Sequence, residues 1–584
     1  MGWRSFGAVR QTLGAALFVL ALSGGAAAQE PTTFYGGYPY PVPPDGHFNT
    51  FATNAINFYN FYSDLLEPPL GIYKWAEGEY EGMLAEDFGF DGDTYTVTLK
   101  DGVTWSDGTP FSSADVVSTF NVGYLLNWSV WDGLERVEAV DDRTVNFVFS
   151  EPSFAAERQI MVEAIRANSV YGDFGERAAA LIEEGVTEDD EAFGALLTEL
   201  TEFRPETYVT SGPYTLTREN ISDARVLLTK NEGGFNADVV RFDNVVLWNG
   251  ETETVTPLVT AGELWYGTYG FPPATEEAFV AQGIDIVRGP LYSGPALYFN
   301  HAVAPFDRPE VRRAVAHAID RDENGFVSLG ESGVAVEYMA GMSDLVAENT
   351  VDEAVLDELD EYDYDPELAA QMLTEAGFTR GDDDVWVSDT GERMAFTLIF
   401  PSDYADWAAA AENVTQALNQ FGFDITARGV LSQQQQQDVY DGNFELAIRN
   451  WGAASPLPYV SYLEPYQRYN GQGQLAGEGT GGGMGFDTNV TYSGGEVDLL
   501  ELTLASSRGL DEARQREQAG QLVRSFNELL PIIPLWERYG NNPLNREFVD
   551  APPEGDPVYQ NGTAVPDPFM TYLLLTGGVG PAAE

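Results

Sequence analysis

Between residues 93 and 99 the chain reads DTYTVTL, with Tyr95, Val97 and Leu99 on one side and threonines on the other, the period of a half-buried strand. Asp101-Gly102 and Asp107-Gly108 follow as turns. At SSADVVSTFNVGYLL (112–126) the period becomes helical, with Ser113 as the expected N-cap and Asp115 in the first turn. Similar runs recur down the chain. RTVNFVFS (143–150) reads as a strand, SGPYTLTREN (211–220) and ARVLLTKNEGGF (224–235) as a strand pair, and FDNVVLW (242–248) as an apolar strand. PEVRRAVAHAIDRD (309–322) is helical with Val311, Ala314, Val315 and Ala318 on its apolar face, and DPELAAQMLTEAGF (365–378) is a helix stopped by Gly377. MAFTLIF (394–400) and FELAIRNW (444–451) are strands on either side of the helix WAAAAENVTQALNQFGF (407–423). GQGQLAGEGTGGGMGF (471–486) reads as a flexible loop. Strands and helices mixed in this way, without an internal repeat, predict an α/β architecture.

The first 28 residues depart from this pattern. Arg4 and Arg10 flank the short apolar run LGAALFVLAL (13–22), and small residues around Ala28 offer a cleavage site, so a secretory signal peptide over 1–28 and a periplasmic or secreted product are expected. No later stretch approaches the roughly 18 apolar residues of a membrane span. The chain contains no cysteine, which excludes disulfides, thiol catalysis, cysteine-based zinc sites and a lipoprotein anchor. Asp plus Glu number 92 against 30 Lys plus Arg, a formal charge of −62. That excess excludes nucleic acid and anionic lipid as partners, since both demand clustered cations. It suits a salt-adapted or simply acidic secreted protein, whose self-repulsion is relieved by screening.

Signals for catalysis are weak. His47, His301 and His317 are far apart and show no metal-ligand spacing. GEGTGG (477–482) has the glycine spacing of a dinucleotide fingerprint but neither the preceding strand nor the following helix. LGESGV (329–334) does not match a nucleophile elbow. FGFDGDTY (88–95) and RGDDDVWVSDTGER (380–393) lack the calcium-loop spacing and read as solvated hairpin turns.

Aromatic residues are more informative. NWSVWDG places Trp128 and Trp131, GELWYGTYG places Trp265, Tyr266 and Tyr269, and PSDYADW places Tyr404 and Trp407 beside glycine, serine and acids. Trp451 opens WGAAS at the end of an expected strand, within NWGAASPLPYVSYLEPY (450–466). Flat rings flanked by small polar groups suit stacking on a sugar ring or a peptide side chain. Candidate ligand-binding residues are therefore Trp451, Gly452, Ala454, Ser455, Trp265, Tyr269, Trp407 and Tyr404, with Asn57 and Tyr59 from the polar-aromatic run near the start. No catalytic residue, metal or cofactor is expected.

Five motifs in order carry a resemblance. YTVTLKDGVTWSDGTPFSSADVVSTF, SGPYTL, NHAVAPFDRPEVRRAVAHAIDRD, YDPELAAQMLTEAGF and PIIPLWERY are similar to stretches of the family 5 solute-binding proteins. These are receptors of ABC importers for oligopeptides, dipeptides, nickel and oligosaccharides. The resemblance implies a bilobal, class II periplasmic-binding-protein-like fold. One lobe is expected from 29–59, 208–300 and 540–584, an inserted domain from 60–207, and the second lobe from 301–539. It also implies a membrane permease as partner and a monomeric receptor. Peptide receptors of the family read roughly Trp-x-Ala-Asp-Tyr where this chain reads Trp451-Gly452-Ala453-Ala454-Ser455, and their acid pairs with the peptide's α-amino group. Gly262-Glu263-Leu264-Trp265 stands where many relatives have Gly-x-Leu-Asp. Both changes replace charge and resemble the branch that takes cello-, xylo- or manno-oligosaccharides. A peptide receptor is the alternative, with Glu464 or Asp403 serving an amine; a secreted hydrolase is the rival from another class, and a metal-complex receptor, for which no His or Arg site is identifiable, is a third reading.

Overall fold

The computed structural model describes residues 31–40, 42, 46–56, 61–471, 482–563 and 566–583. The expected signal peptide, Asn57, Tyr59 and residues 472–481 of the glycine-rich loop lie outside them. In chain order the elements that position the site begin with β1 (Thr33–Gly37). Next come β2 (Ala85–Asp91), β3 (Thr94–Leu99), α1 (Ser113–Leu125), β4 (Leu134–Ala139), β5 (Thr144–Phe149) and α2 (Phe154–Val162). After these the chain forms β6 (Tyr214–Thr215), β7 (Arg225–Lys230), β8 (Asn244–Trp248), β9 (Tyr266–Gly267), β10 (Asp285–Val287) and β11 (Ser293–Phe299). The last third supplies α3 (Pro309–His317), β12 (Ala395–Pro401), α4 (Ala405–Phe421), β13 (Asp424–Val430), β14 (Leu446–Gly452), β15 (Ile532–Pro534), β16 (Trp536–Arg538) and β17 (Asn542–Leu544).

Three sheets organise the molecule. The first lobe has seven strands in the order β10-β17-β9-β1-β8-β7-β6, and the second has five, β13-β12-β14-β11-β15. The inserted segment folds its own antiparallel sheet, β2-β3-β5-β4. There the alternation read at residues 93–99 is realised, since Tyr95, Val97 and Leu99 are buried against Val116 and Phe120 of α1. The cap of α1 is Ser112 rather than Ser113. Asp115 accepts from the Ser112 backbone N–H, forming a capping box, and this fixes the helix start one residue earlier than the apolar pattern suggested. In α3, Val311, Ala314 and Val315 are buried, as is Ala318 just beyond it.

One boundary moves. The expected division at residue 300 leaves Ser293–Phe299 in the first lobe, but β11 pairs along its full length with β14 and so belongs to the second. The crossing is therefore at 288–292. The return crossing is at 538–541, and the two are hydrogen-bonded to each other through Leu291 N–H to the Arg538 carbonyl and Gly540 N–H to the Gly289 carbonyl, both at 2.8 Å. Among the described residues no helix is long and apolar enough to cross a membrane.

Candidate functional site

Each lobe contains a strand flanked on both sides by parallel partners. In the first lobe β1 runs parallel to β8 and β9, and in the second β12 runs parallel to β13 and β14. A strand whose two parallel neighbours are reached by connections in opposite directions opens a crevice at its carboxyl end, and ligands of α/β sheets collect there. In the first lobe that edge carries Gly37 and, beyond β9, Tyr269 and Gly270. In the second it carries Tyr404, Asp406 and Trp407, at the start of α4 after β12, and the 452–455 turn after β14.

Arg538 connects the two edges. It ends β16 as the chain crosses between lobes, and its Nη1 lies 3.4 Å from Asp406 Oδ2. On the first-lobe side a Cβ built on Gly270 would stand 2.1 Å from Arg538 Nη2, so only a glycine leaves room for the guanidinium where it lies. The loop carrying Gly270 is pinned to the hinge by Asn541, which accepts from the Phe271 N–H and donates to the Phe271 carbonyl. The neighbour Glu537 points elsewhere. It is buried and accepts from the Ser343 hydroxyl at 2.8 Å, and burial pushes its carboxyl up to about 8. A second contact between lobes comes from the inserted domain, where Ser153, the N-cap of α2, bridges to Gly509 of the second lobe.

The residues expected from sequence separate into two groups. Ala454 shares a small cavity with Trp75, Tyr292, Asn561 and Asp567, at the junction of both lobes and the inserted domain. There the Trp75 and Tyr292 rings stack at 3.8 Å. Gly452 has φ +71°, and a Cβ on it would meet the Tyr292 carbonyl at 2.6 Å, so glycine is required at this turn. Ser455 is buried, its hydroxyl accepting from the Leu457 N–H. Tyr404 is exposed, Trp407 is half-buried, and their rings meet edge to face. Tyr269 is buried beyond β9, its hydroxyl without a hydrogen bond among the described residues.

Two tryptophans depart from expectation. Trp451 is 0% exposed in the core of the second lobe, and its indole N–H donates to the Trp536 carbonyl at 3.2 Å. It offers no free face, because β14 is a central strand and its inward side chains are covered by packing. Trp265 stacks on Phe548 at 5.1 Å and donates to the Gly262 carbonyl, so its ring is also occupied. Trp128 and Trp131 are packed against the core of the inserted domain, and Tyr266 is buried. Arg538 and Asp406 were not found from sequence. The signal available was an acid in the first turn of a helix next to Trp407, with nothing in sequence to join it to residue 538.

Acids near the crevice are already engaged. Asp403 accepts from the Ser432 N–H and hydroxyl. Glu464 pairs with Arg468 at 3.0 Å, and burial raises its carboxyl above the ordinary range while Arg468 opposes that rise. Asp567 takes the Arg158 guanidinium and the Tyr73 N–H. A cavity of about 960 Å³ runs from the outer edge strand β10 past Tyr539 to Glu331, among acids and the ion-paired Arg288 and Arg546, rather than along the carboxyl edges of the parallel strands.

The sequence profile of the bacterial extracellular solute-binding proteins, family 5 Middle, matches residues 79–473. Glutathione-binding protein GsiB of Shigella boydii is 26% identical over 334 residues, covering 55% of this chain and 57% of that relative, so the match spans little more than half of either. The crystal structure of a periplasmic oligopeptide-binding protein of an oligopeptide ABC transporter from Thermotoga maritima superposes with a TM-score of 0.73 at 22% identity, over 94% of this chain and 99% of that one. The mannohexaose-bound structure of that protein gives 0.68 at 22% identity, over 95% and 100%. These structural likenesses carry the bilobal fold.

Proposed function

This chain belongs to the bacterial extracellular solute-binding proteins, family 5, and from that premise we propose that it captures a neutral oligosaccharide between its lobes and passes it to the permease of an ABC importer. Membership of that family supports a receptor rather than an enzyme. The observation that carries the solute class is that acids identified near the crevice are already engaged within the protein, in a chain of net charge −62. Ala454 supplies no carboxylate, Asp403, Glu464 and Asp567 each face an internal partner, and the charge of Asp406 is offset by Arg538 at 3.4 Å although its Oδ2 accepts no hydrogen bond among the described residues. An ammonium entering a closed cleft without a free carboxylate loses hydration that nothing restores, at a cost of several kcal/mol. Hydroxyl-rich rings carry no such cost. The mannohexaose in the Thermotoga maritima relative supports the same class.

Capture follows from population shift. The solute touches both lobes only when they are together, and it favours that state by the difference in contact energy. The crossings at 288–292 and 538–541 act as the hinge.

The peptide reading is favoured by the glutathione-binding relatives. Calorimetric titration with mannohexaose, cellohexaose and a set of unmodified tetra- to hexapeptides, at 0.1 M and 1 M NaCl, separates the two. The oligosaccharide reading expects sugar binding that changes less than about twofold with salt, because an uncharged ligand has no net charge to screen. Binding of peptides alone, weakening steeply with salt, would overturn it.

A further inference from the structure

We propose that Arg538 and Asp406 form the polar contact by which the cleft reads a neutral hydrogen-bonding group of its solute, two adjacent hydroxyls when the solute is a sugar. The hydroxyls rest on the oligosaccharide reading above; the pair itself does not. The Arg538 side chain is 28% exposed, and among the described residues its guanidinium makes no hydrogen bond. Asp406, at 12%, is more enclosed. Its Oδ1 accepts from the Trp407 N–H, while Oδ2, 3.4 Å from Arg538 Nη1, is buried and accepts no hydrogen bond among the described residues.

A guanidinium only donates and a carboxylate only accepts. Ion-paired with each other but with hydrogen-bonding capacity left over, they are complementary to a neutral group that does both at neighbouring atoms. In a diol one O–H donates to Asp406 Oδ2, and the adjacent oxygen accepts from Arg538. The charges of the pair cancel, so neither an ammonium nor a carboxylate is preferred. Trp407 and Tyr404, next to Asp406 in sequence at the same helix start, meet edge to face and bring aromatic surface to that end of β12, the kind of mixture that a pyranose matches. Position links the contact to closure. Arg538 sits on the hinge strand and reaches Gly270 of the first lobe, so a solute held there lies where the lobes meet.

The test is calorimetric titration of the full chain, D406N and R538Q with mannohexaose and, separately, with an unmodified tetrapeptide. Each variant is expected to bind mannohexaose about tenfold more weakly or worse, the loss of one charge-assisted hydrogen bond, with the ligand-free unfolding midpoint little changed. D406N is nearly isosteric and serves if R538Q folds poorly. Unchanged sugar affinity in D406N overturns the pair's role and leaves the oligosaccharide reading intact. Should the parent chain bind only the peptide, the sugar reading fails and the same variants decide the pair. A tenfold loss of peptide then supports it as a contact to a neutral amide, and unchanged affinity overturns it. A parent chain that binds neither probe overturns both.

Discussion

Trp451, at the end of β14, and Arg538, at the end of β16, are close in space, since the Trp451 indole donates to the carbonyl of Trp536 two residues before the arginine. Their surroundings are opposite. The tryptophan is 0% exposed and its one polar side-chain atom is satisfied, whereas the arginine side chain is partly open and its guanidinium makes no hydrogen bond among the described residues. Sequence context favoured the tryptophan as a ligand group, because it stands beside glycine, alanine and serine. Packing assigns it to the core instead, and the unspent hydrogen-bonding capacity lies on the hinge. Unsatisfied polarity at a crevice is the better guide to a binding atom than an aromatic ring beside small residues.

The largest expected effect tests that contrast through stability. Trp451→Ala removes a fully buried side chain from a central strand and should cost about 3–5 kcal/mol of unfolding free energy. Arg538→Gln, at a 28% exposed side chain, loses no hydrogen bond but does lose the 3.4 Å ion pair to the enclosed Asp406, and should cost about 1–2 kcal/mol, well below the tryptophan. Urea unfolding followed by tryptophan fluorescence checks both. If Arg538→Gln proved the more destabilising of the two, the arginine would be structural and the contrast would be broken.

A second, smaller effect sharpens it one residue away. Glu537 shares the hinge strand with Arg538 but is enclosed, beside the Ser343 hydroxyl, Asp344 and the Tyr292 and Tyr539 rings. Burial holds its folded-state value at about 8, above the ordinary 4.5, with Asp344 also raising it and the Ser343 hydroxyl and Tyr292 N–H lowering it. A carboxyl raised in the folded state is stabilising while protonated. That stability is fully present below about 4.5, where both states hold the proton, and is lost progressively as pH rises towards 8. Asp344, raised to about 6 by burial, adds a slope of the same sign over a lower range. Glu537→Gln should therefore flatten the fall in unfolding free energy between pH 5 and 8, a difference on the order of a few kcal/mol at the alkaline end. Parallel pH profiles of parent and variant would refute the buried assignment.

The periodic parts of the fold were legible because they obey local rules. Tyr95, Val97 and Leu99 alternate on one strand, and Val311, Ala314 and Val315 share a helical face, so each element announces its own buried side. The order of five motifs announced the two lobes and the family. Less visible was the ownership of β11, because an apolar strand after a crossing reads alike on either side, and pairing with β14 alone decides it. Where the candidate residues fall in the fold was legible only in part. Ala454 and Trp407 stand at the carboxyl edges of the second lobe because strand ends and helix starts can be placed from sequence. Arg538 could not be brought to Asp406 in the same way, since 132 positions of sequence separate them and only the crossing of the hinge brings them together.

The smallest expected effect concerns how Arg538 meets the first lobe. A methyl group at position 270 would stand 2.1 Å from Nη2, which must move for the lobes to close as they do here. Because Nη2 is the far end of a flexible side chain, it can swing aside, so Gly270→Ala should not block closure. It should misplace the guanidinium and weaken solute binding by about two- to fivefold, under 1 kcal/mol. In an Arg538→Gln background the same substitution has less to displace, and the two effects should fall short of their sum, as coupled neighbours do. Titrating parent, both single variants and the double variant with the solute that the parent binds closes the cycle. Full additivity would mean that Gly270 influences binding through loop geometry alone, and Arg538 would then act within the second lobe without spanning the cleft.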